Sequence, residues 1–464
     1  MKQMTLSNIA KACQGVYIGP KEKENIEVNA IAIDSRQIGE GDLFIATKGE
    51  RVDGHSFIGQ VMEKGALCVI SEKELSAKDF PTGMDICYIR VTDSFQAIKD
   101  IAAFYRKQLS IPVIGITGSV GKTSTKEMIA GVLSARYHVL KTAGNFNNEV
   151  GLPLTIFRIR EEHEVAVLEM GISDFGEMSR LTAIAKPDIC VITNIGQCHL
   201  ENLGTRDGIL KAKTEIFEGL SKDGDAILNG ADDKLITIKE VNGKSPLFFD
   251  CEDCYVTDMV SKGIFGTDCV IHVDGEEIQA KIGVPGVHQV SNAMAAVRVA
   301  KLLHMTKDEI EKGIESVEAI GGRNHIMKTE DVTIIDDCYN ANPVSMKAGL
   351  DLLDLAIGRK VAVLGDMFEL GENSAWLHRE VGQYGAGTGC DMIICIGENA
   401  KSIYDGAKEK AAEIGNQKLS VYHFSDKDAF LTLKNELLKK NDTILLKASH
   451  GMHFETMIDR LQIM

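Results

Sequence analysis

The sequence predicts an α/β protein of three domains, and three observations support this. The chain has 464 residues, about three times the length of a typical domain. Hydrophobic residues make up 44% and charged residues 25%, as in ordinary globular proteins. Short apolar runs alternate with helix-periodic segments, which indicates parallel sheets covered by helices. The predicted domains are residues 1–108, 109–320 and 321–464.

The first segment has mixed α/β character. Short apolar runs at residues 31–33 and 43–45 are separated by turn signals such as the glycines and aspartate at residues 39–42, which predict short strands joined by tight turns. Near residue 109 the pattern changes, because residues 111–116 form a buried-strand run followed by glycines and then a helical period.

The central segment continues with strand-like runs at residues 165–168 and 189–192 that end in polar residues. Helical stretches separate these runs, which predicts a parallel sheet. Residues 225–282 interrupt the alternation with sequence that is rich in turns and strand formers.

The last segment repeats the alternation more regularly, and it predicts an open α/β sheet of five or six strands. Helices are expected at residues 343–355, where proline stands at the start, and at residues 425–439. The predicted strands are residues 332–335, 360–364, 392–396, 419–423 and 443–446.

The net charge is −16, from 51 basic and 67 acidic residues. This acidic balance argues against nucleic acid as a partner, because binding of nucleic acid needs clustered basic residues. No apolar run approaches the ~20 residues that span a bilayer, and the N-terminus lacks signal-peptide features; we expect a cytoplasmic protein without membrane insertion. The eleven cysteines are expected to be reduced and buried, including the CxxC pair Cys251 and Cys254.

The most informative motif is glycine-rich and lies between residues 115 and 126. Glycines at 118 and 121 let backbone N–H groups approach phosphate oxygens. Lys122 can reach the β- and γ-phosphates, and the Thr123 hydroxyl can coordinate Mg²⁺. The pattern G-x-x-x-x-G-K-[ST] is not met in full, since Ile116 stands at its first glycine. We predict that a nucleoside triphosphate binds at Gly118, Ser119, Val120, Gly121, Lys122, Thr123 and Ser124.

Further polar residues follow the predicted central strands. Glu169 and His199 are expected at the carboxyl edge of the sheet, where they could share Mg²⁺ with the triphosphate; alternatively, Glu169 caps a turn and His199 is structural. From its spacing alone, Lys213 belongs to a solvated helix face. The amides of Asn145, Asn147 and Asn148 indicate either a plain turn or recognition of a polar ligand.

Together these motifs resemble the Mur ligase family of peptidoglycan synthesis over almost the whole chain. The branch that adds D-alanyl-D-alanine to UDP-N-acetylmuramoyl-tripeptide is the most similar. The matching motifs are at residues 34–36, 41–44, 48–49, 53–55, 117–123, 142–148, 169–171, 199–201, 211–213, 285–288, 292, 322–323, 336–343 and 365–372.

The resemblance implies a function for each domain: UDP-sugar binding for residues 1–108, ATP binding by a P-loop domain for 109–320, and a Rossmann-like ligase domain for 321–464. It also implies that Thr123 and Glu169 hold one Mg²⁺ ion, with His199 and a carbamylated Lys213 at a second. Lys122, Glu169, His199 and Lys213 would be catalytic. The remaining implied contacts are His288 and Asn292 with adenine, Arg323 with phosphates, Asp337 with ribose, and Ser35 and Arg36 with the UDP-sugar.

The implied activity is ATP-dependent joining of D-alanyl-D-alanine to the UDP-N-acetylmuramoyl-tripeptide through an acyl phosphate, by a monomeric enzyme. The alternatives are another Mur-type or folylpolyglutamate-type ligase, and a P-loop nucleotide switch without catalysis. Near the C-terminus, Ala448 and His450 stand where the family pattern has glycine and arginine, and we assign no ligand contact to His450.

Overall fold

The computed structural model describes residues 1–49, 52–196, 198, 200–318, 324–368 and 370–462. The chain divides into two compact units. The first comprises Met1–Tyr255, His272–Glu276 and Asn292–Gly313, and the second comprises Val256–Ile271, Glu277–Ser291 and Ile314–Met464.

The first unit begins with a five-stranded sheet in the order β1-β5-β4-β3-β2. Strand β1 is antiparallel to β5, and the other neighbours are parallel, so the mixed α/β prediction is confirmed. The strands are β1 (Val16–Ile18), β2 (Ile31–Ala32), β3 (Leu43–Ile45), β4 (Cys68–Ser71) and β5 (Tyr88–Arg90), and the helices are α1 (Leu6–Ala12), α2 (Ile58–Glu63) and α3 (Ser94–Arg106).

A six-stranded parallel sheet follows, in the order β11-β10-β9-β6-β8-β7. Its strands are β6 (Val113–Thr117), β7 (Val139–Lys141), β8 (Val165–Glu169), β9 (Ile189–Ile192), β10 (Asp225–Asn229) and β11 (Leu247–Phe249). Its helices are α4 (Lys122–Ser134), α5 (Gly151–Ile156), α6 (Glu177–Ala185), α7 (Leu200–Leu203) and α8 (Arg206–Thr214). Because β6 lies between β8 and β9, the loops after these three strands meet at one edge.

One continuous hydrophobic core joins these two sheets, with members from Met4 to Val241. Arg106, at the end of α3, is 7% exposed and links them further. Its guanidinium donates to the carbonyls of Leu109 (2.9 Å), Ala185 (2.8 Å) and Lys186 (3.1 Å). The domain boundary at 108/109 stays a prediction.

Replacing Arg106 with methionine should destabilise the first unit by about 2–4 kcal/mol, because one buried and two partly buried carbonyl acceptors lose their donor. We expect a lower urea midpoint in unfolding followed by circular dichroism. The matched control is Lys107→Met, since Lys107 is the exposed residue that caps the C-terminal end of α3. Equal midpoints for the two variants would contradict the assigned role of Arg106.

Residues 225–282 are rich in strands, as predicted. After β10 and β11 comes a three-stranded sheet in the order β12-β13-β14, made of β12 (Cys254–Ser261), β13 (Thr267–Val273) and β14 (Glu276–Ile282). Helices α9 (His288–Leu302) and α10 (Lys307–Glu315) follow it. The described residues include no helix with the length and apolar character needed to cross a bilayer.

The second unit contains a six-stranded sheet in the order β15-β16-β20-β17-β18-β19. Only β15 is antiparallel to its neighbour. The predicted open α/β sheet is confirmed, and the domain boundary at 320/321 lies outside the described residues. The strands are β15 (His325–Lys328), β16 (Thr333–Asp336), β17 (Lys360–Gly365), β18 (Met392–Ile396), β19 (Ser420–Phe424) and β20 (Thr443–Lys447), and the helices are α11 (Pro343–Asp354), α12 (Ser374–Ala386), α13 (Ala400–Glu413), α14 (Lys427–Leu437) and α15 (Ile458–Leu461).

Candidate active site

The glycine-rich loop connects β6 to α4, as the sequence predicts. Gly118 has φ +154° and Gly121 has φ +83°, both in the range that favours glycine. A Cβ atom at Gly118 would collide with the Oγ1 of Thr193. The loop conformation therefore requires glycine at position 118 for two separate reasons, backbone geometry and space.

Backbone N–H groups are available at the start of α4. Within the described part of the chain, no atom accepts a hydrogen bond from the N–H of Gly121, Thr123 or Ser124, and the first such bond is from Thr125 to the Gly121 carbonyl (2.8 Å). Unpaired N–H groups at the N-terminus of a 13-residue helix form a site that favours phosphate.

The Lys122 ammonium lies over the loop. Its Nζ donates to the carbonyl of Gly118 (2.9 Å) and to that of Ser119 (3.4 Å). Lys122 thus holds a positive charge beside the N–H groups of α4, where a triphosphate would place its negative charge.

Glu169 ends β8 and is paired in register with Ile116 of β6, which brings it to the same edge as the loop. It is 2% exposed. Its Oε1 accepts from Asn147 Nδ2 (2.8 Å), whereas its Oε2 has no hydrogen-bond donor among the described residues; the same holds for Thr117 Oγ1, at the end of β6. A buried carboxylate oxygen without a donor fits a cation ligand.

Lys126 is a site residue that our sequence reasoning missed. It is 1% exposed, and its Nζ donates to the Thr142 carbonyl (2.7 Å) and lies 2.9 Å from Glu127 Oε1 and 3.9 Å from Glu169 Oε2. Its position one helical turn after Lys122 could have indicated that both side chains lie on the same face of α4.

Lys213 lies on α8 and is 1% exposed, so the solvated-face interpretation is wrong for this residue, although it fits the exposed Lys211. Burial, reinforced by the nearby positive charge of Lys122, lowers the pKa of Lys213 to about 8. The neutral amine is therefore more accessible at neutral pH than it is in an exposed lysine.

The three asparagines have different partners. Asn147 binds Glu169, as described above. Asn148 Oδ1 accepts from the N–H groups of Val150 (3.2 Å) and Gly151 (2.8 Å) at the start of α5, and the Asn145 carbonyl accepts from Asn147 N (2.7 Å). A cavity of about 540 Å³ brings Lys122, Asn147 and Asn148 together; its lining also includes Glu149, Gly171, Ser173 and Glu177.

Asn292 lies on α9 and contacts α4 at the glycine-rich loop, because its Oδ1 accepts from Thr125 Oγ1 (2.7 Å).

Ser35 and Arg36 lie after β2. Arg36 pairs with Asp34 (2.7 Å), and the Ser35 carbonyl accepts from Lys64 Nζ (2.7 Å). No hydrogen bond or ion pair between described residues joins Ser35 or Arg36 to the glycine-rich loop. His199 and Arg323, also predicted as site residues, lie outside the described residues.

In the second unit, Asp337 follows β16 and Lys447 ends β20. Lys447 Nζ lies 2.6 Å from Asp337 Oδ2, and burial raises the pKa of the Asp337 carboxyl against the opposing effect of this ammonium. Residues that follow Asp337 and Lys447 in the chain line a cavity of about 450 Å³. Its lining includes Tyr339, Asn340, Asn342, Phe368, Ser449 and His450.

His288 lies at the start of α9. Burial lowers the pKa of its imidazole, which favours the neutral form.

Comparison with known proteins adds to this description. Three family models match consecutive segments: "Mur ligase family, catalytic domain" at residues 27–113, "Mur ligase middle domain" at 116–300 and "Mur ligase, glutamate ligase domain" at 322–450. The UDP-N-acetylmuramoyl-tripeptide–D-alanyl-D-alanine ligase of Bacillus subtilis is 38% identical over 464 residues, covering 99% of both chains. The ligase of the same name from Escherichia coli is 32% identical, covering 100% of this chain and 99% of its own.

Solved structures agree with these relatives. A crystal structure of MurF from Acinetobacter baumannii superposes with a TM-score of 0.87 at 32% identity, covering 99% of this chain and 98% of that one. MurF ligase from Thermotoga maritima in complex with ADP gives a TM-score of 0.75 at 30% identity, covering 93% and 97%. On this evidence, the chain belongs to the Mur ligase family.

Proposed function

We propose that this protein is an ATP-dependent ligase that joins D-alanyl-D-alanine to UDP-N-acetylmuramoyl-tripeptide, giving the UDP-linked pentapeptide, ADP and phosphate. Two relatives that match the chain over nearly its full length carry this activity in their names. The structural observation that carries the proposal is the donor-free Oε2 of Glu169, on the strand beside the glycine-rich loop. This arrangement supports a triphosphate and a cation at one sheet edge.

The reaction must first activate a carboxylate, because its direct reaction with an amine would expel oxide. A carboxylate oxygen of the tripeptide attacks the γ-phosphorus, the bond to the ADP oxygen breaks, and an acyl phosphate forms. The free amine of D-alanyl-D-alanine then attacks the acyl carbon, phosphate leaves, and the amine proton passes to solvent. Lys122 would neutralise charge on the transferring phosphoryl group, and the N–H groups of α4 would bind the phosphates.

The buried, donor-free Glu169 oxygen fits Mg²⁺, a hard cation that prefers oxygen ligands. Thr123 and Glu169 would hold one ion, and His199 with a carbamylated Lys213 would hold a second. Bound Mg²⁺ would neutralise phosphate charge and orient the γ-phosphoryl group. Asn147 would orient the Glu169 carboxylate through its hydrogen bond to Oε1.

The environment of Lys213 supports its proposed carbamylation. A neutral amine adds to CO₂, forming an N–C bond and releasing a proton, and the lysine changes from cationic to anionic. The lowered pKa of Lys213 makes the neutral amine available, and removal of a buried positive charge near Lys122 relieves repulsion. The carbamate oxygens would then serve as ligands for a cation.

We expect a carbamate ¹³C NMR resonance when the protein is incubated with ¹³C-bicarbonate. At fixed dissolved CO₂ it should grow as the pH rises through about 8, because the reactive form is the deprotonated amine. Lys213→Met should remove the resonance and lower kcat about 10- to 100-fold. Lys211→Met is the control and should keep the resonance, since Lys211 is exposed. A wild-type protein without the resonance would contradict carbamylation.

The function is tested by measuring ADP release with each substrate omitted in turn. We expect release only when ATP, UDP-N-acetylmuramoyl-tripeptide and D-alanyl-D-alanine are all present. Turnover with a single amino acid or with folate and glutamate would favour another ligase of the family. ATP hydrolysis that ignores the dipeptide, or nucleotide binding without turnover, would favour the switch alternative.

We also propose that the enzyme works as a monomer in the cytoplasm, where ATP and UDP-linked sugars are available. Light scattering coupled to size exclusion should give a mass near 50.6 kDa. A mass of about twice that value would contradict the monomer. Immunodetection after cell fractionation should find the protein in the cytoplasmic fraction, and recovery with the membranes would contradict this location.

A further inference from the structure

Some main-chain N–H and carbonyl groups of the glycine-rich loop are already hydrogen-bonded to Asn194. These groups are therefore not available to a nucleotide. Asn194 follows β9, the strand next to β6. Its Oδ1 accepts from the N–H of Val120 (3.0 Å), and its Nδ2 donates to the carbonyl of Val120 (2.9 Å). The side-chain amide thus pairs with both hydrogen-bonding groups of one loop residue.

Further contacts strengthen this attachment. The carbonyl of Asn194 accepts from Ser119 N (3.0 Å), and Thr193 Oγ1 donates to the Val120 carbonyl (2.7 Å). Ser119 Oγ also accepts from the N–H of Gly196 (2.9 Å). Residues 193–196 therefore hold the centre of the loop through both main-chain and side-chain hydrogen bonds.

The segment that holds the loop is itself fixed from β10. Asn229, the last residue of β10, donates from Nδ2 to the Thr193 carbonyl (2.9 Å), and Asp232 Oδ2 accepts from the N–H of Ile195 (2.7 Å). Residues after β9 thus hold the loop through hydrogen bonds, and residues at the end of β10 and just after it in turn hold the residues after β9.

We infer that Asn194 is a positioning residue that fixes the glycine-rich loop in its nucleotide-binding conformation. The inference rests on the proposed role of this loop. Asn194 binds the N–H and carbonyl of Val120, whereas the N–H groups of Gly121, Thr123 and Ser124 have no acceptor among the described residues and stay available to phosphate. The predicted nucleotide contact of Val120 is then indirect, since its N–H is used within the protein. Preformed loop geometry lowers the entropy cost of ordering the loop around phosphate.

The test compares Asn194→Ala with wild type by isothermal titration with ADP and by steady-state kinetics. Loss of two hydrogen bonds to the loop should weaken ADP binding and raise the KM for ATP by about tenfold or more. The KM values for the tripeptide and the dipeptide should stay within about twofold. This selective effect on the nucleotide separates positioning of the loop from a general loss of structure.

Asn435→Ala is the matched control, because Asn435 is an exposed residue of α14. This variant should bind ADP like wild type.

If Asn194→Ala does not fold, Thr193→Val is tested instead, since it removes one donor to the Val120 carbonyl while keeping the side-chain shape. Its ADP binding should be weaker than that of wild type by a few fold. Wild-type ADP affinity in a folded Asn194→Ala protein, or in Thr193→Val when it serves instead, overturns the inference. ADP binding is measured without turnover. A failed ligase assay would therefore contradict the proposed function, whereas the ADP titration would still test the role of Asn194.

Discussion

Lys122→Ala should lower kcat by about 10²- to 10³-fold, the cost of removing one group that stabilises transition-state charge. The lysine ammonium is held beside the start of α4 by the carbonyls of Gly118 and Ser119. Alanine removes the positive charge that would meet the transferring phosphoryl group. Release of ADP under saturating substrates is the measurement.

Lys222→Ala is the control for this experiment, because Lys222 is an exposed lysine just before β10, at the opposite end of the sheet from the loop. It should have wild-type kcat. Thermal unfolding of Lys122→Ala should stay within a few degrees of wild type, since the side chain is only partly buried at the protein surface. Near-normal kcat in a folded Lys122→Ala protein would remove Lys122 from the proposed mechanism.

Glu169→Gln should lower kcat about as much as Lys122→Ala, but by weakening the binding of Mg²⁺. Glutamine keeps the side-chain length and an acceptor for Asn147, but it removes the negative charge from the donor-free position. We expect the Mg²⁺ concentration for half-maximal activity to rise at least about tenfold, and kcat to fall by about 10²-fold or more. A magnesium titration of ADP release measures both quantities.

Glu240→Gln is the matched control, since Glu240 is exposed, and it should keep the wild-type magnesium dependence. The folded state of Glu169→Gln should persist, because Lys126 keeps its contacts with Glu127 and the Thr142 carbonyl. An unchanged magnesium requirement in Glu169→Gln would exclude Glu169 as a cation ligand.

The sequence predicted the central strands of both six-stranded sheets, because their signals are local. Runs such as residues 189–192 are buried on both faces, and such strands have a continuous apolar pattern. The short antiparallel strand His325–Lys328 was missed, since its residues are only half buried and carry no such pattern. The glycine-rich loop was predictable for the same local reason, as strand, glycines and helix are consecutive in the chain.

Contacts between distant residues account for what the sequence did not reveal in the candidate site. The amide of Asn194 meets Val120 across 74 positions, and no local pattern specifies that pairing. Lys126 and Lys213 are buried, although lysine in a helix most often lies at the surface. For Lys213, spacing alone gave the wrong environment, and the family resemblance was needed to single it out.

The shared core from Met4 to Val241 has a consequence for engineering. A chimaera joined between the two sheets would be cut near residue 108. Such a cut would pack α3 of one parent against α5 and α6 of another. The carbonyl groups that bind the Arg106 guanidinium would then come from the other parent. Exchange should therefore succeed when both sheets, from β1 to β11, are inherited from one parent.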